Sequence, residues 1–178
     1  SAAEVGQALL SRGKAGLADG MYAAVLRRHE GWQCLRLSYA QALARELGAA
    51  WAGQRILDVG SGSGNYAYFL LLKHAYKRLQ CVQAGSAAPC AYYGLDFVGE
   101  AVTDADRRIK ELHEQLTRQA GLPLQPKTLL HTHFIIADIE SGLPFESNSF
   151  DQICCNLVVS YLRHPLECLI ELCRVLRP

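Results

Sequence analysis

The chain has 178 residues, 18 Lys and Arg against 17 Asp and Glu, half its residues apolar and 20% charged. That is one domain with a sizeable core, which excludes two ordinary domains and intrinsic disorder. A formal net charge of +1 argues against a dedicated polyanion binder, and no apolar run approaches the ~18–20 residues needed to span a bilayer.

The opening stretch, Ser1 to Lys14, lacks the basic-then-apolar order of a secretory signal. It does not begin with Met, as expected of a trimmed or processed chain. The 7 cysteines form no C-x-x-C, and none of the 6 histidines stands at zinc spacing from one. Buried, reduced thiols in a cytoplasmic protein without a metal are the expectation.

In chain order, the first fifty residues predict helices. Val5, Ala8 and Leu9, then Tyr22, Val25 and Leu26, then Leu37, Ala40, Leu43 and Leu47 recur at three-and-four spacing. This segment, residues 1–50, is expected to cap a core over residues 51–178. The run Arg55-Ile56-Leu57-Asp58-Val59 predicts a buried strand, closed by Gly60-Ser61-Gly62-Ser63-Gly64. A helix is expected over Tyr66 to Arg78, then a loop of small residues from Gln83 to Pro89, then a second strand, Ala91 to Asp96. Val102, Ala105, Ile109, Leu112 and Leu116 advance by 3, 4, 3 and 4 and predict a further helix, with Arg107, Arg108, Lys110 and Glu111 on its wet face. Thr132 to Asp138 reads as a third strand and Phe150 to Val159 as a fourth. Pro165 opens a last helix expected to turn Leu166, Leu169, Ile170, Cys173 and Leu176 inward.

Strands alternating with helices, the strands almost continuously apolar, predict an α/β fold: a Rossmann-like, mainly parallel sheet with helices on both faces. Ligands in such sheets sit beyond the carboxyl ends of the strands. The polar residues expected there are Asp58, Asp96, Asp138 and Asn156.

The glycine segment is the strongest signal. Glycines at alternate positions allow a tight turn and let backbone N–H groups approach a ligand. The dinucleotide fingerprint needs G-x-G-x-x-G; here the third glycine comes one position early and Asn65 takes its place, which disfavours a nicotinamide-dependent oxidoreductase. An acidic residue two positions before the first glycine suits a positively charged ligand. Asp96 could hold a ribose diol or cap the helix that follows it. Asp138 could touch ligand or form a turn, and Asn156 could line the cleft or pair with backbone. His164, just before Pro165, could act as a general base at neutral pH or be a helix-start histidine. His131 and His133 are expected to precede or enter the third strand, away from the cleft.

Ile56 to Gly64 resembles the first motif of class I S-adenosylmethionine-dependent methyltransferases. Tyr93-Gly94-Leu95-Asp96 resembles the family's second-strand end, and Ala137-Asp138-Ile139 with Leu143-Pro144-Phe145 and Ser149-Phe150-Asp151 resembles its third-strand segment. Phe150 to Ile153 and Glu171 to Pro178 resemble the tail of the same block. The likeness covers about residues 54–178. It implies S-adenosylmethionine as cofactor, held by Asp58, Gly60, Ser61, Gly62, Gly64, Asp96, Phe97, Asp138, Ile139 and Asn156, with the ribose on Asp96 and the adenine near Asp138. It also implies that the usual C-terminal strands lie outside this chain, leaving a sheet edge through which copies could associate.

Family members that methylate exocyclic amines of bases carry Asn/Asp-Pro-Pro-aromatic after the fourth strand. Here that stretch is Asn156-Leu157-Val158-Val159, and Cys155 lacks the preceding Pro of cytosine carbon-5 enzymes. The expected acceptor is a small molecule. An RNA methyltransferase and a non-catalytic cofactor- or partner-binding domain are the alternatives.

Overall fold

The computed structural model describes residues 54–71, 90–120 and 130–178. The expected cap over residues 1–50, the loop Gln83 to Pro89 and the first helix beyond residue 71 lie outside them. Four strands, β1 (Arg55–Val59), β2 (Cys90–Asp96), β3 (Leu130–Ile136) and β4 (Gln152–Cys155), form one sheet in the order β3-β2-β1-β4. Every pairing is parallel. Helix α1, described over residues 65–71, follows the glycine turn; α2 spans Gly99–Ala120 and α3 spans Pro165–Val175.

The period of two along the strands divides the core between two faces. Ile56, Cys90, Tyr92, Leu130 and Cys154 meet Tyr66, Ala67 and Leu70 of α1 and Ile109 and Leu112 of α2 on one side. Leu57, Val59 and Leu95 meet Phe150, Ile139, Leu143 and α3 on the other. Helices therefore cover both faces, as the near-continuous apolar strands require. Register places Asp58 beside Gly94, Val59 beside Leu95 and Cys155, and Asp96 beside Ile136. All four strands thus end at one edge.

Several boundaries depart from expectation. β3 begins and ends two residues earlier than Thr132 to Asp138, so Asp138 stands beyond the strand as N-cap of a short 3-10 turn, Ile139–Ser141. His131 and His133 lie within β3, and the His133 ring stacks on Tyr93 with centroids 4.7 Å apart. β4 is only four residues long: Phe150 makes an isolated bridge to Leu176, and after Asn156 the chain turns through Leu157 at φ 58° into a 3-10 turn, Val159–Tyr161. Apolar content alone does not extend a strand past a left-handed residue.

The last helix faces the other way from expectation. Cys168, Leu172 and Val175 are its buried residues, whereas Leu166, Leu169 and Ile170 are 69%, 44% and 61% exposed. Cys173 and Leu176 are also outside. Both faces of α3 are apolar, so periodicity could not choose between them. Polar anchors decide it. Glu171 accepts from Leu143 N–H at 2.9 Å and pairs with Arg174 at 2.6 Å, and Arg174 donates to the Phe145 carbonyl at 2.9 Å. These contacts press the Cys168–Leu172–Val175 stripe onto the sheet.

α2 buries His113, whose Nδ1 has no partner among the described residues, and burial, then the nearby His131, pushes its imidazole down to about 4. The unfolded chain takes up that proton near 6.5, so it binds more protons than the folded chain between these values and stability rises with pH. Urea unfolding midpoints are expected to fall as pH drops from 6.5 to 4, by up to about 3 kcal/mol of stability. In a His113→Leu variant that slope flattens.

Candidate functional site

The carboxyl edge of the sheet is organised by the turn after β1. Gly60, Gly62 and Gly64 have φ of 71°, 52° and 72°, a region in which only glycine is unstrained. Two of them also face immediate neighbours. A Cβ on Gly60 would lie 2.1 Å from Val158 Cγ2, and one on Gly64 would lie 3.0 Å from Ala105 Cβ. Gly60 and Gly64 thus lack side chains where the segment after β4 and α2 press against the turn, a packing role that glycine spacing alone did not disclose.

β2 holds the turn from beside it. Gly60 N–H and Ser61 N–H both donate to the Leu95 carbonyl, at 2.7 and 3.0 Å. Asp96, 9% exposed, accepts from Gly62 N–H at 2.8 Å and from Val98 N–H at 2.9 Å. Asp96 therefore does more than start the following helix: it ties the end of β2 to the turn after β1. Hydrogen bonds to a charged acceptor contribute roughly 1.5–3 kcal/mol each. Phe97, between Asp96 and Val98 in the chain, is partly buried.

Asp58 points to the α1–α2 face of the sheet, 3% exposed, and accepts from the Tyr92 hydroxyl at 2.5 Å. Burial and the Asp58 charge push the Tyr92 hydroxyl well up. The same two causes push the Cys154 thiol up to about 12 and the Cys155 thiol to about 11. Both thiols stay protonated at neutral pH and make poor nucleophiles. The five described cysteines form no disulfide.

The remaining candidates are spread along the edge. Ser61 is buried, with its hydroxyl unpartnered among the described residues. Asp138 is exposed and accepts from Glu140 N–H at 2.9 Å, so it closes a turn. Ile139 buries its side chain under α3, leaving only its main chain for a ligand. Asn156, partly buried, directly follows β4. His164 is exposed at the N-cap of α3 without a side-chain cap bond, its Nδ1 3.9 Å from Glu167. Its backbone N–H and that of Arg163 both donate to Glu140, at 3.0 and 2.6 Å, an anchor without a periodic signature.

Arg108 was also unforeseen at this edge. Instead of standing on the wet face with Arg107 and Lys110, it reaches the glycine turn, donating to the Ser63 carbonyl at 2.6 Å and to Asn65 Oδ1 at 3.0 Å. Its nearest sequence clue is Ala105, one helical turn earlier, a small residue of the same face that meets Gly64.

Comparison with known proteins accounts for this architecture. The family described as "Methyltransferase domain" matches residues 57–178. The chain belongs to this family. The methyltransferase domain is 24% identical over 145 residues to the demethylmenaquinone methyltransferase of Protochlamydia amoebophila (strain UWE25), covering 82% of this chain and 49% of that one. The chain thus spans about half the length of the curated relative it matches. Among solved structures it is similar to a Haloferax volcanii protein in complex with a methyltransferase activator, at TM-score 0.54 and 21% identity, covering 90% and 56% of the two chains. It is also similar to the plantazolicin methyltransferase BpumL in complex with SAH, at TM-score 0.52 and 18% identity, covering 97% and 52%.

The domain has the class I fold, and the similar BpumL structure is in complex with SAH. The residues present fit that group. Three glycines leave much of the turn's main chain bare, the buried Ser61 hydroxyl has no partner among the described residues, and acidic groups suit both a positive sulfur and a vicinal diol. Among the described residues no helix is long and apolar enough to cross a membrane, and no His, Cys, Asp and Glu cluster could hold a metal ion.

Gly60→Ala is expected to lower stability by about 2 kcal/mol or more, through positive-φ strain and overlap with Val158. Adding Val158→Ala should restore part of that loss in urea unfolding, because only the overlap is relieved.

Proposed function

We propose that this methyltransferase domain moves a methyl group onto a small-molecule acceptor docked over the carboxyl edge of the sheet. The observation that carries the reading is the meeting of the glycine turn and the Asp96 carboxylate at that edge, in a chain of this family. S-adenosylmethionine, when bound, supplies a methyl on a positively charged sulfur that an acceptor takes up by in-line displacement.

The chain's own residues then have distinct tasks. Asp96, its carboxylate oriented by two backbone donors, would accept from the ribose hydroxyls; a carboxylate offers about four acceptor sites. Gly60, Gly62 and Gly64 would let the turn adopt the backbone shape that meets the methionine end, with Ser61 offering its hydroxyl. Asp58 adds negative charge behind the turn. Asp138 and the Ile139 main chain would meet the adenine, Phe97 would flank it, and Asn156 would line the acceptor side. Such a site works by holding the acceptor against the methyl carbon. A base is needed only for a hydroxyl or a protonated amine, and His164 is the candidate on this edge.

A small acceptor agrees with the net charge of +1. It agrees too with the relative named as a demethylmenaquinone methyltransferase. Buried Cys154 and Cys168, which form no disulfide, suit a cytoplasmic location.

Two measurements test the reading. S-adenosylhomocysteine should bind in calorimetric titration while NAD does not, and Asp96→Ala should weaken it by about 1–3 kcal/mol. Incubation with methyl-labelled S-adenosylmethionine and a cell extract should put label into the small-molecule fraction. Label in RNA, or none in any fraction, would overturn the proposed acceptor class or turnover itself.

A further inference from the structure

Arg108 lies 45 residues after Ser63 and on a different element, yet three of its hydrogen bonds converge on the end of the glycine turn. Its Nη1 donates to the Ser63 carbonyl at 2.6 Å, to Ser63 Oγ at 3.2 Å and to Asn65 Oδ1 at 3.0 Å. The guanidinium carbon sits 5.4 Å from the centroid of the Tyr68 ring. Partly buried, it is unlike the neighbouring Arg107 and Lys110, whose ion pairs are local and exposed.

Consider the peptide unit between Ser63 and Gly64. Its carbonyl accepts from Arg108, and its N–H, on Gly64, donates to the Ser61 carbonyl at 3.0 Å. Two units earlier, the peptide between Ser61 and Gly62 gives its N–H to Asp96. A stretch with three glycines in five residues has many conformations to lose, and these two anchors fix separate parts of it. The cation also stands beside the start of α1, where a helix prefers negative charge. Stabilising that helix is therefore a poor account of it.

We propose that Arg108 is a positioning residue for the cofactor: it holds the Ser63–Gly64 peptide in the orientation that receives the methionine end. This rests on the reading of the edge given above. An anchored turn presents its backbone ready-made, and a released one must be ordered at the ligand's expense, which weakens binding.

The test compares two ligands on the intact chain. S-adenosylhomocysteine engages the turn through its amino-acid part, whereas adenosine lacks that part and relies on the end of β2. Arg108→Ala is expected to weaken S-adenosylhomocysteine on the order of tenfold in calorimetry and leave adenosine within about twofold. Arg108→Lys, which retains a cationic donor and serves if the alanine variant does not fold, should fall between wild type and alanine. Equal losses for both ligands, or unchanged S-adenosylhomocysteine affinity in either variant, would overturn the assignment. Failure of the wild type to bind S-adenosylhomocysteine, or of Asp96→Ala to weaken it, would instead overturn the reading of the edge.

Discussion

The carboxylate of Asp96 on the N–H of Gly62 is the contact on which the site depends. β1 and β2 are neighbours in the sheet, but the segments leaving them go separate ways, one into the glycine turn and one into α2. The hydrogen bond at 2.8 Å joins them at the point where they part. With the Leu95 carbonyl receiving two further N–H groups from the turn, the end of β2 becomes the template on which the turn is shaped. The residue proposed to hold the ribose is thus also the residue that shapes the backbone beside it, so one side chain would set both halves of the proposed cofactor site.

The glycines meet two demands at once. Their positive φ values bend the chain between a strand and a helix, and their missing side chains let Val158 and Ala105 close in from either side. Gly94 is a related case: a Cβ there would lie 2.6 Å from the Phe134 ring and 2.9 Å from Ser61 Oγ. The hydroxyl of Ser61 therefore sits in the notch that a side chain on β2 would otherwise fill. Close packing around the turn makes its backbone a defined surface rather than a loose one. Behind it, Asp58 and the Tyr92 hydroxyl form a buried polar pair in an otherwise apolar layer, of the kind that fixes one arrangement when satisfied.

Much of this was legible in the chain. Period and punctuation located the strands, the long amphipathic helix and the glycine turn, and the family likeness of Ile56 to Gly64 and of Tyr93 to Asp96 pointed to the cofactor. What escaped were choices made by tertiary contacts. α3 is apolar nearly all round, and the inward stripe was selected by Glu171 and Arg174 gripping the 143–145 loop. Arg108 looked like one cation among several on a wet face; only the approach of α2 to Gly64 brings it to Ser63. Asp138 reads as the end of the third strand, there to touch ligand or form a turn, and became an N-cap because β3 stops at Ile136.

A crystal structure of the chain with S-adenosylhomocysteine tests the central claim most directly. The account predicts the ribose hydroxyls on the Asp96 carboxylate, with the Gly62 N–H still bound to the same side chain and the 60–64 backbone essentially unmoved. A ligand seated elsewhere, or one whose entry breaks the Asp96–Gly62 contact and reshapes the turn, would contradict it.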